Sequence, residues 1–159
     1  AAEQLLRKAK NIIASEGPLE RMSDDPTWYK CKFCDYHPVC HTNTTPAMNC
    51  RTCAHSTPVL TGTAGQWKCG KHDKLIDKAA QTAGCDHHNF IPPLLANWAD
   101  PIDTDGDTVT YTNKLTGNQF VNGPGGYLSS EIAAAEDPRI IGDATTDSLR
   151  EAFNGQVAG

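Results

Sequence analysis

Large apolar side chains are scarce in this sequence: Leu, Ile, Val and Phe together supply 27 of 159 residues. So little apolar matter excludes one large core and leaves room for a single small domain, or a small domain with an appendage. No apolar run reaches the length of a signal peptide or a membrane span, so no membrane association is expected and the expected setting is a reducing cytoplasm. A surplus of positive charge is missing as well, the formal net charge being −5. The shortage is uneven: residues 1–90 carry 11 basic against 9 acidic side chains, and residues 91–159 carry 3 against 10. The acidic second half will not seek phosphate, so any nucleic-acid contact falls to the first ninety residues. The acidic tail is a candidate surface for a protein partner.

Sulfur is what the chain has in place of a large apolar core. All seven cysteines lie between residues 31 and 85, and a chain short of apolar residues needs a staple of disulfides or metal. Seven is an odd number, so a full disulfide framework would leave one thiol over. Cys31 and Cys34, and again Cys50 and Cys53, form C-x2-C pairs, the spacing at which a tight turn aims two sulfurs at one ion. The gaps Cys34–Cys50, Cys53–Cys69 and Cys69–Cys85 each hold fifteen residues. Two zinc ions fit the ligand count. In a sequential partition Cys31, Cys34 and Cys40 with His37 or His41 make the first site, and Cys50, Cys53, Cys69 and Cys85 the second. A cross-braced partition would join the two C-x2-C pairs and leave Cys40, Cys69, Cys85 and a histidine for the other ion. Shorter loops close at lower entropic cost, which favours the sequential version. A site closed by four thiolates has no vertex for water and is structural. "DTDGD", residues 103–107, lacks the ligand order of a calcium loop and reads as an acidic turn.

The expected fold is small α+β and metal-stapled, with an N-terminal amphipathic helix, a zinc-knuckle and zinc-ribbon centre, and a C-terminal β-hairpin and short helices. Leu5, Leu6, Ala9, Ile12 and Ile13 form a helical stripe ended by Gly17 and Pro18. An extended linker follows, turning at Asp25 and Pro26. Strands are expected at Pro58–Leu60 and Gln66–Cys69 around a Gly-containing turn, then a helix over 74–83 stopped by Gly84. The alternation in "DTVTYTNKLTGNQFVNG" predicts a hairpin turning over Asn113–Gly117. "SLREAFNG" predicts a short helix with Ser148 as N-cap. Residues 100–159 are expected to be loosely built. The implied division is 1–30 helix and linker, 31–95 double knuckle, and 96–159 acidic tail.

"SDDPTWYKCKFCDYHPVCH" followed by "NCRTCAHSTPV", "WKC" and "GCDHHNFIP" resembles the C-terminal region of phage and prophage nucleases of the RecB-type PD-(D/E)XK superfamily, over roughly residues 5–95. The resemblance implies a bacterial host cell, a DNA substrate reached through a parent nuclease domain, and a metal clasp at Cys31, Cys34 and Cys40. Iron-sulfur members hold a cluster on this triplet, so a cluster there is the alternative to zinc. They take a fourth cysteine from upstream, whereas no cysteine precedes Cys31 here, which favours zinc with a histidine. The nuclease's Asp and Glu-x-Lys set is also missing, since no acidic residue is followed two positions later by Lys. The chain is therefore expected to be a structural module without catalytic residues of its own. Lys30, Lys32, Arg51, Lys68 and Lys71, interspersed with Trp28, Tyr29, Phe33 and Trp67, have the composition of a single-strand stacking groove. Small-core filling is the competing role for the tryptophans. A free-standing zinc-ribbon adaptor for protein interaction is the alternative function.

Overall fold

A computed structural model describes residues 2–15, 19–59, 61 and 65–157. The chain is small α+β, with an N-terminal helix and two antiparallel three-stranded sheets. Helix α1 (Ala2–Ala14) follows the predicted stripe but buries none of its residues. Its proposed stop at Gly17 and Pro18 lies outside the described residues. The Asp25–Pro26 turn is present: Asp25 Oδ1 accepts from Thr27 N at 2.8 Å, and Trp28 N donates to the Asp25 carbonyl at 3.2 Å. Two short helices follow, α2 (Tyr29–Lys32) and α3 (His37–His41).

The first sheet is built from β1 (Ser56–Pro58), β2 (Trp67–Cys69) and β3 (Lys74–Ile76), in the order β1-β2-β3. The first strand starts two residues earlier than the alternation suggested; Leu60 and residues 62–64 of the turn lie outside the described residues. The helix expected over 74–83 is split. Lys74–Ile76 pairs with Trp67–Cys69, and α4 (Lys78–Ala83) starts only after Asp77, whose Oδ1 accepts from Ala80 N at 2.8 Å. Asp77 favours a cap over a helix interior because its side chain competes for backbone N–H groups. Gly84 ends α4 at φ +70°, a conformation costly for other residues, and hands the chain to Cys85.

The second sheet runs β4 (Ala99–Asp105), β5 (Thr108–Asn113), β6 (Gln119–Asn122). The predicted hairpin is its β5–β6 half; of the acidic "DTDGD", residues 103–105 end β4 and only Gly106 and Asp107 make the turn into β5. Val109, Tyr111 and Asn113 point inward in strict alternation along β5. Helix α5 (Ser129–Ala134) and helix α6 (Ala144–Phe153) close the fold. Asp143, not Ser148, caps α6, accepting from Thr145 N and Thr146 N at 3.0 and 3.2 Å; Ser148 instead bonds back to the Ala144 carbonyl.

The expectation of a loosely built C-terminal region is wrong. Its elements enclose the protein's main apolar core: Phe90, Leu95, Trp98, Ala99, Val109, Tyr111, Phe120, Tyr127, Ile132 and Ile141 are all buried. Trp98 and Tyr111 stack on either side of Phe120, with centroids 5.5 and 5.2 Å away. Buried Glu131 binds Arg150, the Leu128 N–H and the Val157 N–H, tying α5 to α6 and the chain end. Composition alone hid this core because a few well-placed apolar residues suffice for a domain of this size.

The two sheets are joined by a short polar seam. Ala54 N donates to the Asn89 carbonyl and Ile91 N to the Thr52 carbonyl, Phe90 N meets Asn122 Oδ1, and Ser129 Oγ donates to the His88 carbonyl. Lys71 and Asp107 pair across it.

Candidate metal centres

The first cluster grows out of two tight turns. Cys34 N donates to the Cys31 carbonyl and His37 N to the Cys34 carbonyl, both at 3.0 Å, and α3 then carries Cys40 one turn beyond His37. Cys31, Cys34, His37, Cys40 and His41 all line one cavity of about 90 Å³, together with Arg21, Met22, Ser23 and Lys30. Cys31 is buried and Cys34 exposed, so the cluster opens to solvent on one side.

The second cluster is assembled from three separate places. A single 3-10 turn, Cys50–Thr52, is capped by Asn49 and sets the knuckle of Cys50 and Cys53. Cys69 ends β2, and Cys85 follows the Gly84 cap. Cys53 and Cys69 are buried. Burial pushes the Cys50 thiol up, and the neighbouring Cys53, Cys85 and Cys69 push the same way. Burial likewise raises Cys53, reinforced by Cys85 and Cys69, while backbone bonds from Asn89 and His55 act in the opposite sense. A thiol raised by burial and by neighbouring thiols resists becoming a thiolate unless a cation shares the site. Cys85 Sγ lies 3.8 Å from His72 Nε2, and the His72 ring sits 5.4 Å from His87.

The donors at 31–41 line one cavity, and Cys53, Cys85 and Cys69 all act on Cys50. Among the described residues, however, no group of three or more His, Cys, Asp or Glu side chains stands ready to hold a metal ion. The chemistry of the donor sets fits a borderline-soft dication in both places: four thiols in one, three thiols and an imidazole in the other.

The residues proposed for nucleic acid do not form one groove. Lys30 Nζ stands over the rings of Trp28 and Tyr29, at 5.4 and 5.8 Å, and Lys32 follows it on α2. Arg51 is committed to Gln81 Oε1, at 3.3 and 3.4 Å, Lys68 to Asp73 at 2.6 Å, and Lys71 to Asp107. Trp67 is half-buried in β2, between Pro58 and Ile76 in the strand register. By contrast Tyr29, Phe33 and Tyr36 around the first knuckle are 61, 82 and 71 % exposed. The acidic residues of the second half are partly neutralised within the chain, Asp100 by Lys114, Asp137 by Arg139 and Glu131 by Arg150.

Sequence reasoning missed His88. Its ring is buried, edge-on to Phe90 at 4.7 Å, with Nε2 3.2 Å from Thr52 Oγ1 and with Nδ1 unpartnered. Desolvation holds its pKa down to about 4. The signal was its place beside "NF", where the chain passes from the ribbon into the apolar core. No helix of the described residues is long and apolar enough to cross a membrane. No family model, curated protein or solved structure matches the chain.

Proposed function

We propose that this chain is a metal-stapled structural module serving as the C-terminal part of a phage-type PD-(D/E)XK DNA nuclease, with zinc at both thiol clusters and no catalytic residues of its own. The observation that carries the metal reading is that Cys50, Cys53, Cys69 and Cys85, brought from three separate places, share one electrostatic neighbourhood, in a half of the chain with almost no other buried matter. Bound zinc would be held at the second centre by these four thiolates, and at the first by Cys31, Cys34, Cys40 and a histidine. It would supply cross-linking and charge compensation for the thiolates, and its binding free energy would be folding free energy. The resemblance of residues 5–95 supports the nuclease setting, and the missing acidic set assigns cleavage to the parent's core.

The role toward DNA narrows to the first knuckle. Exposed Tyr29 and Phe33, with Lys30 and Lys32 beside them, offer faces on which unpaired bases stack, and neither lysine forms an ion pair among the described residues. Elemental analysis and an absorption spectrum of protein purified without oxygen test the metal reading. Two zinc per chain and no visible colour are expected; a brown protein would mean an iron-sulfur cluster at the triplet. Titration of labelled single-stranded DNA at low salt tests the other half. Binding weakened by Phe33→Ala is expected, and no binding at on the order of 10–100 µM would remove the DNA role.

A further inference from the structure

We infer that His37, acting through Nδ1, is the fourth ligand of the first metal centre and that His41 is not a ligand, an inference that rests on the metal reading above. The first ground is spacing. Cys31, Cys34, His37 and Cys40 recur every third residue, and the first two steps are locked by the backbone bonds from Cys34 N and His37 N. His41 falls outside this ladder.

The second ground is the tautomer. His37 Nε2 lies 3.1 Å from the Pro26 carbonyl. A carbonyl only accepts, so Nε2 carries the proton and the lone pair of the neutral ring is on Nδ1. An imidazole that gives its other N–H to a backbone carbonyl is oriented as metal-bound histidines are. The Pro26 carbonyl is itself held in place. Asp25 Oδ1 accepts from both Thr27 N and Thr27 Oγ1, at 2.8 and 2.7 Å, and Ser23 Oγ accepts from Asp25 N at 3.1 Å. The polar turn before the knuckle is thus an outer brace for the ligand. His41 has no such anchor: among the described residues its side chain makes no hydrogen bond, and its ring meets that of His37 at 5.0 Å.

Three thiolates and one neutral imidazole make a closed tetrahedral set. That suits zinc, leaves no vertex for a reactive water, and differs from the four thiolates of a typical cluster site.

The test uses the full chain loaded with zinc, or with cobalt(II) as a spectroscopic substitute, in the wild type and in His37→Ala and His41→Ala. The measurements are metal retained against a competing chelator and tetrahedral cobalt absorption. Two metals are expected in the wild type and in His41→Ala. In His37→Ala the four-thiol centre is kept and the first centre is weakened at least about ten-fold. Loss in His41→Ala with retention in His37→Ala would overturn the assignment, and so would retention in both. A wild type without tightly bound metal would bring down the metal reading itself, and this inference with it. Long-range proton–nitrogen correlation spectra of the zinc-loaded wild type need no substitution. They should show His37 with a proton on Nε2 and a metal-shifted Nδ1; a metal-shifted Nε2 on either histidine would contradict the assignment. Asp25→Ala removes no ligand and should weaken only the first centre, about ten- to a hundred-fold.

Discussion

Residues 31–85 and residues 88–157 use different materials to hold a chain together. In the first stretch the buried apolar side chains are Cys31, Cys53, Cys69, Ile76 and Pro46, and the sheet they support has three-residue strands. In the second, ten apolar residues form one continuous cluster under a sheet whose longest strand has seven residues. The contrast teaches where the stabilising free energy must come from. Fully burying one large apolar side chain contributes roughly 1.5–3 kcal/mol, so the second stretch accounts for its own order. The first cannot do so with Ile76 and Pro46, and burial raises its Cys50 and Cys53 thiols. On the proposed reading, sulfur and metal take there the place that carbon holds in the other half.

Trp98→Ala should have the largest effect and break the comparison most sharply. Removing the fully buried indole that stacks on Phe120 should cost about 3–5 kcal/mol. Denaturant unfolding followed on the second sheet should show that loss while zinc content stays at two per chain. Loss of zinc in the same variant would mean that the halves share one source of stability.

His88 sharpens the comparison, because it sits in the seam. Burial keeps its imidazole neutral, from an ordinary 6.5 down to about 4, with His55 acting the same way and a backbone bond at Asn49 opposing. The folded pKa is the lower one, so the ring's contribution is complete above pH 6.5 and is lost as pH falls towards 4. The loss amounts to about 3 kcal/mol. A proton NMR titration should place the His88 midpoint near 4; a midpoint at the ordinary histidine value would mean that the seam is open to water. The smallest effect is expected from Lys68→Ala. Its ion pair with Asp73 is exposed on both sides, and exposed pairs contribute little. Thermal unfolding should be unchanged.

The legibility of the sequence follows the same division. Cysteine spacing pointed to metal donors, because the two-residue gaps of the knuckles are local facts. The β5–β6 hairpin was readable from its alternation, and the Gly84 stop from helix-capping chemistry. Strand β4 was not readable: residues 100–105 are exposed on both faces, so "DPIDTD" carries no apolar period. Strand β3 was hidden inside a helix-like stretch, since only its pairing with β2 marks Lys74–Ile76 as extended. The Glu131–Arg150 pair joins residues nineteen apart through tertiary structure, and nothing local announces it. The choice between His37 and His41 required the Pro26 carbonyl, eleven residues upstream.

Hydrogen–deuterium exchange of the full chain, with and without a tight zinc chelator, tests the division most directly. Chelation should strip protection from amides of 31–85, among them Cys34, His37 and the β2–β3 ladder, while those of β5, β6 and α5 keep theirs. Equal loss across both stretches, or no loss in either, would contradict the claim that metal holds the first and an apolar core holds the second.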